Sequence, residues 1–283
     1  MSDLDLRYAL PDETLKDCIS FFYQFTANIP YFEDKAFRAD LPQFCFVLKG
    51  SEGFYMFEDG VKQPMFPAFL LGPTTANSHT GGVGPVCLFG MGILPVGWSR
   101  MLPIQAASLT NRVVDGEQLF GAQLKADLAA LSAAADFDAR VAYANAMMAR
   151  LLTFKDERLE SFVTVVDDWL LSSLSPQIDD LEAASNLSRK QLQRLCNQIY
   201  GAPPKSLVRK YRALRVAKQI ALGEADANDF LAEGFTDQSH LIHEVKHYTG
   251  HTPLEIRNDP SHLLKLTLQR TSFDGMSDLI TGT

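Results

Sequence analysis

The first hundred residues contain short hydrophobic runs with turn-forming residues between them. Residues 44–48 read FCFVL, residues 53–57 read GFYMF and residues 68–71 read AFLL. Apolar and aromatic runs of this length, bounded by Gly, Pro, Asp and Asn, are typical of β-strands. The turn at residues 58–60, EDG, predicts a hairpin. Strands at this spacing predict a β-barrel or a β-sandwich in the N-terminal region.

The hydrophobic pattern changes to helical spacing near Leu109. Leu124, Leu128 and Leu131 recur at intervals of four and three residues, and a second stripe begins at Val141. Such stripes predict two helices, each with one apolar face. We expect these faces to pack on their own domain, and dimer formation is the alternative.

The C-terminal third predicts short helices, and one plan occurs there twice. Residues 180–199 contain a short helix, a tight turn and a second helix that begins at Ser188. Residues 229–248 repeat this order, with the second helix beginning at Thr236. Ser and Thr are favoured at this position because their hydroxyls accept hydrogen bonds from amides of the first turn. The pattern predicts two helix-turn-helix units.

A long basic helix over residues 204–222 is predicted to join the two units. The charged segment at residues 153–158 marks the expected domain boundary. We therefore predict an α+β protein with a β-rich domain and trailing helices over residues 1–154, and an all-α domain over residues 155–260. Residues 261–283 are expected to form a tail.

Charge is distributed unevenly along the chain. The net charge is −8, yet residues 183–223 contain nine Lys and Arg side chains and no Asp or Glu. A basic window in an acidic protein can form a local electrostatic footprint for phosphate groups. The alternative is that these side chains form an ordinary solvated helix surface.

The second helix of each predicted unit has two distinct faces. In the first unit, Leu192, Leu195 and Ile199 share the inward stripe, and Lys, Gln, Arg and Asn occupy the opposite face. Arg and Lys can bind guanine in the major groove, and Gln and Asn can bind adenine. In the second unit, Leu241, Val245 and Tyr248 form the stripe. On its opposite side lie Ser239, His243 and Lys246, as expected of a helix that binds a DNA groove, although a zinc motif would also need a helix.

These units carry a family resemblance. Residues 234–241 read GFTDQSHL and residues 250–253 read GHTP, while residues 188–195 of the first unit read SRKQLQRL. The C-terminal region resembles AraC/XylS-type transcription regulators. Residues 50–98, which include FLLGP, more weakly resemble the cupin-like N-terminal domain of some members. The family often has Arg at the position of His243, so weaker binding by the second unit is expected.

The resemblance implies a bacterial transcription regulator that binds double-stranded DNA, with no catalytic activity, cofactor or metal. It also implies a small-molecule effector or a dimerisation role for the N-terminal domain, with RNA polymerase as a further partner. A ligand-binding or interaction protein that has lost DNA binding is an alternative. The residues expected to contact DNA are Arg189, Lys190, Gln193, Arg194, Asn197, Arg209, Lys210, Arg212, Gln238, Ser239, His240, His243 and Lys246.

Residues 243–247 read HEVKH and fit a pattern found in zinc hydrolases. In that interpretation His243 and His247 bind zinc and Glu244 is the general base. The longer form of the pattern places a third ligand at position 253, where this chain has Pro253. We therefore keep the zinc hydrolase as a minor alternative, with Glu244 expected to be a surface charge. His79 is the only histidine before residue 240, so a metal-binding cupin site is not predicted.

Cysteine usage and hydropathy indicate the cellular compartment of the protein. The four cysteines are scattered, and no two form a C-x-x-C pair. No secretory signal and no apolar run of about 18 residues is visible. The sequence therefore predicts a cytoplasmic protein with reduced thiols and no membrane partner.

Overall fold

The computed structural model describes residues 4–50, 52–231 and 234–258. In this part of the chain, a β-rich N-terminal region with trailing helices precedes a helical C-terminal region, as the sequence predicted. The predicted tail over residues 261–283 lies outside the described residues.

The strands of the N-terminal region form two antiparallel sheets. In chain order they are β1 (Leu4–Ala9), β2 (Ile19–Ala27), β3 (Tyr31–Phe37), β4 (Gln43–Lys49), β5 (Gly53–Met56), β6 (Lys62–Pro64), β7 (Ala68–Leu71), β8 (Ser78–Val83), β9 (Val86–Ile93) and β10 (Val113–Asp115). One sheet has the order β1-β2-β9-β4-β7-β10, and the other has the order β3-β8-β5-β6. The predicted hairpin is formed by β5 and β6.

The larger sheet is buried on both faces. On β2, Phe22 packs in the same cluster as Trp98 of the following helices, whereas Phe21 and Tyr23 pack towards the smaller sheet. Successive side chains of a strand point to opposite faces. This explains why β2 and β4 read as continuous hydrophobic runs instead of alternating ones. The two sheets form a sandwich covered on one side by helices, and its likeness to a cupin stays a prediction.

Ten α-helices lie in the described part of the chain. They are α1 (Pro95–Met101), α2 (Gly116–Phe120), α3 (Gln123–Ala133), α4 (Phe137–Leu151), α5 (Glu157–Leu171), α6 (Ile178–Ser185), α7 (Arg189–Ile199), α8 (Pro204–Leu222), α9 (Gln238–Thr249) and α10 (Pro253–Asn258). The stripes of α3 and α4 pack on the larger sheet, so the domain covers its own apolar faces as expected. None of these helices is long and apolar enough to cross a membrane.

The first predicted unit is formed by α6 and α7. Helix α6 ends at Ser185, and its C-cap residue Asn186 has a φ of 54°. Asn tolerates this left-handed conformation better than most residues do. Ser188 is the N-cap of α7 and forms a capping box with Gln191. The predicted turn and helix start are confirmed.

The second unit departs from the prediction at its helix start. The N-cap of α9 is Asp237, whose carboxylate accepts a hydrogen bond from the His240 amide at 2.8 Å. The prediction of Thr236 was wrong by one residue, because Asp is an equally favoured cap and lies one position later. The preceding short helix is a 3-10 turn over Ala227–Phe230.

Helix α8 has the predicted bounds and contributes to two hydrophobic cores. Leu207 and Val208 pack with α5, α6 and α7, whereas Val216 and Ile220 pack with α9 and α10. One helix therefore supports both units. The predicted boundary between residues 154 and 155 lies in the link between α4 and α5. It stays a prediction.

Candidate nucleic-acid interface

Helix α7 presents a polar face outside the hydrophobic core. Lys190, Gln193 and Arg194 are exposed, and Asn197 is partly exposed. The inward side consists of Leu192, Cys196 and Ile199, with Leu195 partly buried. The amphipathic division is confirmed, while the contacts of these side chains with DNA stay a prediction.

Arg189 lies at the start of α7, but its charge is already paired. Its Nε is 2.8 Å from Oε2 of Glu182, and its Nη2 also contacts Asp179. Both acids lie on α6, just before the acid-free window. Exposed ion pairs are worth about 0–1 kcal/mol, so a phosphate could replace these partners. Arg189 is therefore a weaker candidate than its position in the sequence indicated.

Helix α9 also has the two faces that the sequence predicted. Leu241, Val245 and Tyr248 are buried. On the other side, the exposed residues are Gln238, Ser239, His243 and Lys246. His240 is partly exposed, and its Nε2 lies 3.4 Å from Oε2 of Glu244.

The basic residues of α8 are largely inside the protein. Lys210, Arg212, Arg215 and Lys218 are all buried. The sequence predicted DNA contacts by Lys210 and Arg212, and their burial argues against such contacts. Helical spacing could not reveal this, because α8 packs in two hydrophobic cores and also against loops of the sandwich. Arg209 and Lys205 of the same helix remain exposed.

A buried ion-pair network joins α8 to α9. Glu244 is 0% exposed in its side chain, and its carboxylate lies 2.9 Å from Nε of Arg209 and 2.6 Å from Nη2 of Arg212. The guanidinium of Arg212 also lies over the ring of Phe235, at 4.4 Å from its centroid. Glu244 is therefore not the surface charge that the sequence predicted. It fixes α9 against α8.

This position of Glu244 bears on the zinc interpretation. A general base must reach water or substrate, whereas Glu244 is enclosed and holds two arginines. His243 is exposed, and Nε2 of His247 lies 3.1 Å from the carbonyl oxygen of Thr75. Residues 4–50, 52–231 and 234–258 contain no group of three His, Cys, Asp or Glu placed to hold a metal ion. The zinc hydrolase alternative is not favoured.

Lys210 connects α8 with the β-sandwich. Its ammonium donates to the carbonyl oxygens of Asp40 at 2.6 Å and of Thr74 at 2.9 Å. Burial lowers the pKa of Lys210 to about 8, although the neighbouring Asp40 acts in the opposite direction. Lys210 therefore keeps a charge inside the protein at neutral pH.

The C-terminal end of α9 is also bonded to the sandwich. The Ala39 amide donates to the carbonyl oxygen of Tyr248 at 2.7 Å, and the Asn77 amide donates to that of His247 at 2.8 Å. Ala39 and Asn77 lie in the loops after β3 and β7. These bonds occupy carbonyls at a helix end that have no partner within the helix. The second unit is thus attached to the N-terminal region.

A cavity lies between the two sheets, beside the loop that contacts α8 and α9. It has a volume of about 60 Å³, and most of its walls are apolar or aromatic. Its polar wall includes Asp40, Gln43 and Thr80. The Tyr23 hydroxyl donates to Oε1 of Gln43 at 2.6 Å. A largely apolar lining with a few polar groups is typical of small-molecule sites, although such sites usually measure roughly 300–1,000 Å³.

Comparison with known proteins identifies the C-terminal region. Residues 181–259 match the family model of a helix-turn-helix domain, which confirms the resemblance noted in the sequence. No curated protein matches the chain.

Solved structures align with most of the chain at low sequence identity. A structure of ToxT from Vibrio cholerae is 9% identical, covering 93% of this chain and 97% of that chain with a TM-score of 0.49. Unsaturated fatty acid bound ToxT is 10% identical, covering 89% and 93% with a TM-score of 0.46. The AraC-like transcriptional activator CuxR is 15% identical, covering 81% and 90% with a TM-score of 0.30.

Proposed function

Because the C-terminal region contains a helix-turn-helix domain of the AraC type, we propose that this protein is a transcription regulator. It binds double-stranded DNA sequence-specifically through α7 and α9. The single observation that carries this proposal is the exposed polar face of α7, within the residues that match the family. If these polar side chains were buried instead of exposed, α7 could not bind a DNA groove.

Two side chains of that face are suited to DNA because their charges are not already used. Among the described residues, neither Lys190 nor Arg194 makes an ion pair. A cation without a partner gains more from a phosphate or a guanine than one that must first leave a carboxylate. The capping box of Ser188 fixes the first turn of α7, from which Lys190 projects.

Helix α9 supplies the second contact in this proposal. Glu244 holds it against Arg209 and Arg212 of α8, and Ser239, His243 and Lys246 remain exposed. Because α8 is shared by both units, the two exposed faces keep a fixed relation to each other. We propose that they enter successive major grooves of one duplex.

The N-terminal residues 1–154 would then control the DNA-binding residues 155–260. The cavity between the sheets supports a role in binding a small-molecule effector. A second copy of the chain and RNA polymerase are further partners, proposed on the family resemblance alone.

The test is a titration of the full-length protein with labelled duplexes tiled across the region upstream of its own coding sequence. Fluorescence anisotropy would be measured between about 50 and 200 mM salt. We expect one fragment to bind much more tightly than the rest, with affinity falling steeply as counterions are released. Binding that is equal for all fragments would refute sequence-specific recognition, and no binding would refute the proposal as a whole.

A further inference from the structure

One loop of the β-sandwich contacts both helix-turn-helix units. It consists of residues 72–77, GPTTAN, which join β7 to β8, and we call it the bridging loop. In the second unit it contacts the C-terminal end of α9. The amide and the side-chain Nδ2 of Asn77 both donate to the carbonyl oxygen of His247, at 2.8 and 2.9 Å. Nε2 of His247 also lies 3.1 Å from the carbonyl oxygen of Thr75. The last turn of α9 is therefore bonded to this loop.

In the first unit the bridging loop packs against the end of α7. Gly201 has a φ of 78°, and a side chain at this position would overlap Pro73 and Thr110. The Thr110 hydroxyl donates to the Gly201 carbonyl oxygen at 2.9 Å. Gly250, the C-cap of α9, repeats this arrangement with a φ of 77° against Ala36 of β3. Gly adopts this conformation freely and leaves room for such a close approach. Both second helices therefore end on a glycine that packs against the sandwich.

Asn111 holds the bridging loop in one conformation. Its Oδ1 accepts from the Thr75 amide at 3.0 Å, and its Nδ2 donates to the Thr75 hydroxyl at 2.8 Å. Its amide donates to the carbonyl oxygen of Pro73 at 2.9 Å. Asn111 itself has a left-handed φ of 54°. A residue other than Gly keeps this conformation where the surrounding contacts require it. The loop is therefore a fixed support for the helices that it contacts.

The bridging loop adds a second connection between the two units. The first connection is α8, which packs in both of their hydrophobic cores. Long helices are rarely straight, so one helix alone sets the angle between two units imprecisely. The loop contacts the ends of α7 and α9, and its Thr74 carbonyl oxygen accepts from Lys210 of α8 at 2.9 Å. Two connections at different points fix an angle that a single one leaves adjustable.

These contacts leave the faces that are proposed to bind DNA uncovered. The bonds lie at the C-terminal ends of α7 and α9, whereas the second helix of a helix-turn-helix contacts bases through its N-terminal residues. In that part of each helix, Lys190 and Gln193 of α7 and Gln238 and Ser239 of α9 are exposed. The loop is therefore placed to orient both helices without blocking either.

We propose that the bridging loop is a positioning segment for DNA binding, which sets the angle between α7 and α9 so that both helices fit one duplex at a single spacing of half-sites. This inference rests on the proposed function, because the angle matters only where both helices contact the same duplex. A loop that merely stabilises the fold would change the affinity for every duplex equally. A positioning loop changes the ratio of affinities between duplexes whose half-sites are spaced differently.

The hold of the loop on the helices is tested by hydrogen exchange on the full-length protein without DNA. Asn111→Gly removes both side-chain bonds to Thr75 and keeps a residue that accepts a left-handed φ. We expect exchange to become several-fold faster in the loop and, together with it, in residues 196–201 and 245–250. The control is Asp136→Ala, which removes the N-cap of α4 and should leave those helix ends unchanged. Faster exchange that is confined to the bridging loop overturns the proposal.

Positioning is tested with the tightest-binding upstream duplex and with the same duplex carrying one extra base pair between the two major grooves that the protein protects from cleavage. The insertion turns one half-site by about 34° and moves it by about 3.4 Å. We expect the wild type to bind the inserted duplex roughly tenfold more weakly, as for a poorly matched contact. Asn111→Gly should show a several-fold smaller ratio, and Asp136→Ala should keep the ratio of the wild type. Equal binding of both duplexes by the wild type, or an unchanged ratio in folded Asn111→Gly, overturns the positioning role.

Two milder substitutions separate the contacts and decide the question if Asn111→Gly does not fold. Asn77→Ala removes the Nδ2 bond to α9, and Thr110→Val removes the hydroxyl bond to Gly201. Circular dichroism checks that each variant is folded. Each should lower the ratio between the two duplexes, and an unchanged ratio in both overturns the proposal. Absent binding to every upstream duplex refutes the proposed function, whereas sequence-specific binding with an unchanged ratio refutes positioning alone.

Discussion

The two helix-turn-helix units share one plan, but their second helices have different surroundings. In the first unit, Lys190 and Arg194 of α7 project from the domain without ion pairs among the described residues. In the second unit, Glu244 of α9 is buried between two arginines of α8, and the end of the helix is bonded to the sandwich. The first unit also contacts the N-terminal region, since the Thr110 hydroxyl donates to the Gly201 carbonyl oxygen at 2.9 Å just after α7. A repeated sequence plan therefore yields one second helix with exposed cations and one that is held by a buried ion pair.

This difference concerns the charges on each second helix. Lys190 and Arg194 of α7 can contact a phosphate without first breaking an ion pair among the described residues. Neither unit can move as a body without disturbing bonds to the N-terminal region, because Thr110 bonds Gly201 after α7, and the loops after β3 and β7 bond the end of α9. The N-terminal region is therefore in a position to act on both units.

The largest expected effect comes from the ion pairs that distinguish the units. Glu244→Gln should lower the free energy of unfolding by about 3–5 kcal/mol, because it leaves buried arginine charge unpaired. Its matched control is Glu182→Gln in the first unit, which removes the partly exposed partner of Arg189. That change should cost less than about 1 kcal/mol. Urea unfolding of both variants measures the difference. Equal effects would show that the two units are held in the same way.

The second prediction concerns the pH dependence of the contact made by Lys210. Its pKa falls from 10.5 to about 8 on folding, chiefly through burial, while Asp40 raises it and Arg38 lowers it. The folded chain therefore loses this proton at lower pH than the unfolded chain does. The contribution of Lys210 to the free energy of unfolding should therefore rise between pH 8 and pH 10.5, by up to about 3 kcal/mol. The measurement is the difference in unfolding free energy between wild type and Lys210→Met across that range. A difference independent of pH would contradict it.

The third prediction compares DNA binding by the two exposed faces. Arg194→Ala should cost roughly 1–3 kcal/mol of binding free energy and relax base preference at one position. His243→Ala should cost less, because an imidazole has fewer hydrogen-bond donors for phosphate and guanine than the forked guanidinium of Arg has. Anisotropy titrations with the same duplex measure both variants, and Arg7→Ala provides the control. A larger loss for His243→Ala would reverse the ranking of the units.

The smallest predicted effect concerns the helix starts. Asp237→Ala should destabilise the protein by about 1 kcal/mol, since it removes the acceptor for the His240 amide. Ser188→Ala should have a similar effect in the first unit. Thr236→Ala should change stability by less than about half of this, because its hydroxyl does not cap α9. A larger loss of stability for Thr236→Ala than for Asp237→Ala would support Thr236 as the N-cap, as the sequence predicted.

Local features of the fold could be predicted from the sequence. Pro204 and Gly223 mark the ends of α8 as expected, because Pro is favoured in the first turn and Gly in the left-handed position after the last. The apolar stripes of α7 and α9 were also predictable from their spacing. These features depend on residues within a few positions of one another.

Features that depend on distant partners could not be predicted in this way. Lys210 is bonded to Asp40, which lies 170 positions earlier in the chain. Glu244 pairs with Arg209 and Arg212 of another helix. Residue type alone indicated exposed charges at Lys210, Arg212 and Glu244, and the structure shows that folding encloses all three. The number of basic residues in the window 183–223 therefore overestimates the positive charge that is available to phosphate groups.

Helix α8 limits how the spacing between the two units can vary. Its 19 residues extend about 28 Å, and its first half packs in one core while its second half packs in the other. One residue inserted between these halves would turn the second core by about 100° and advance it by 1.5 Å along the axis. Arg209 and Arg212 would then lose their alignment with Glu244. The number of residues in α8 therefore sets the rotational phase between α7 and α9.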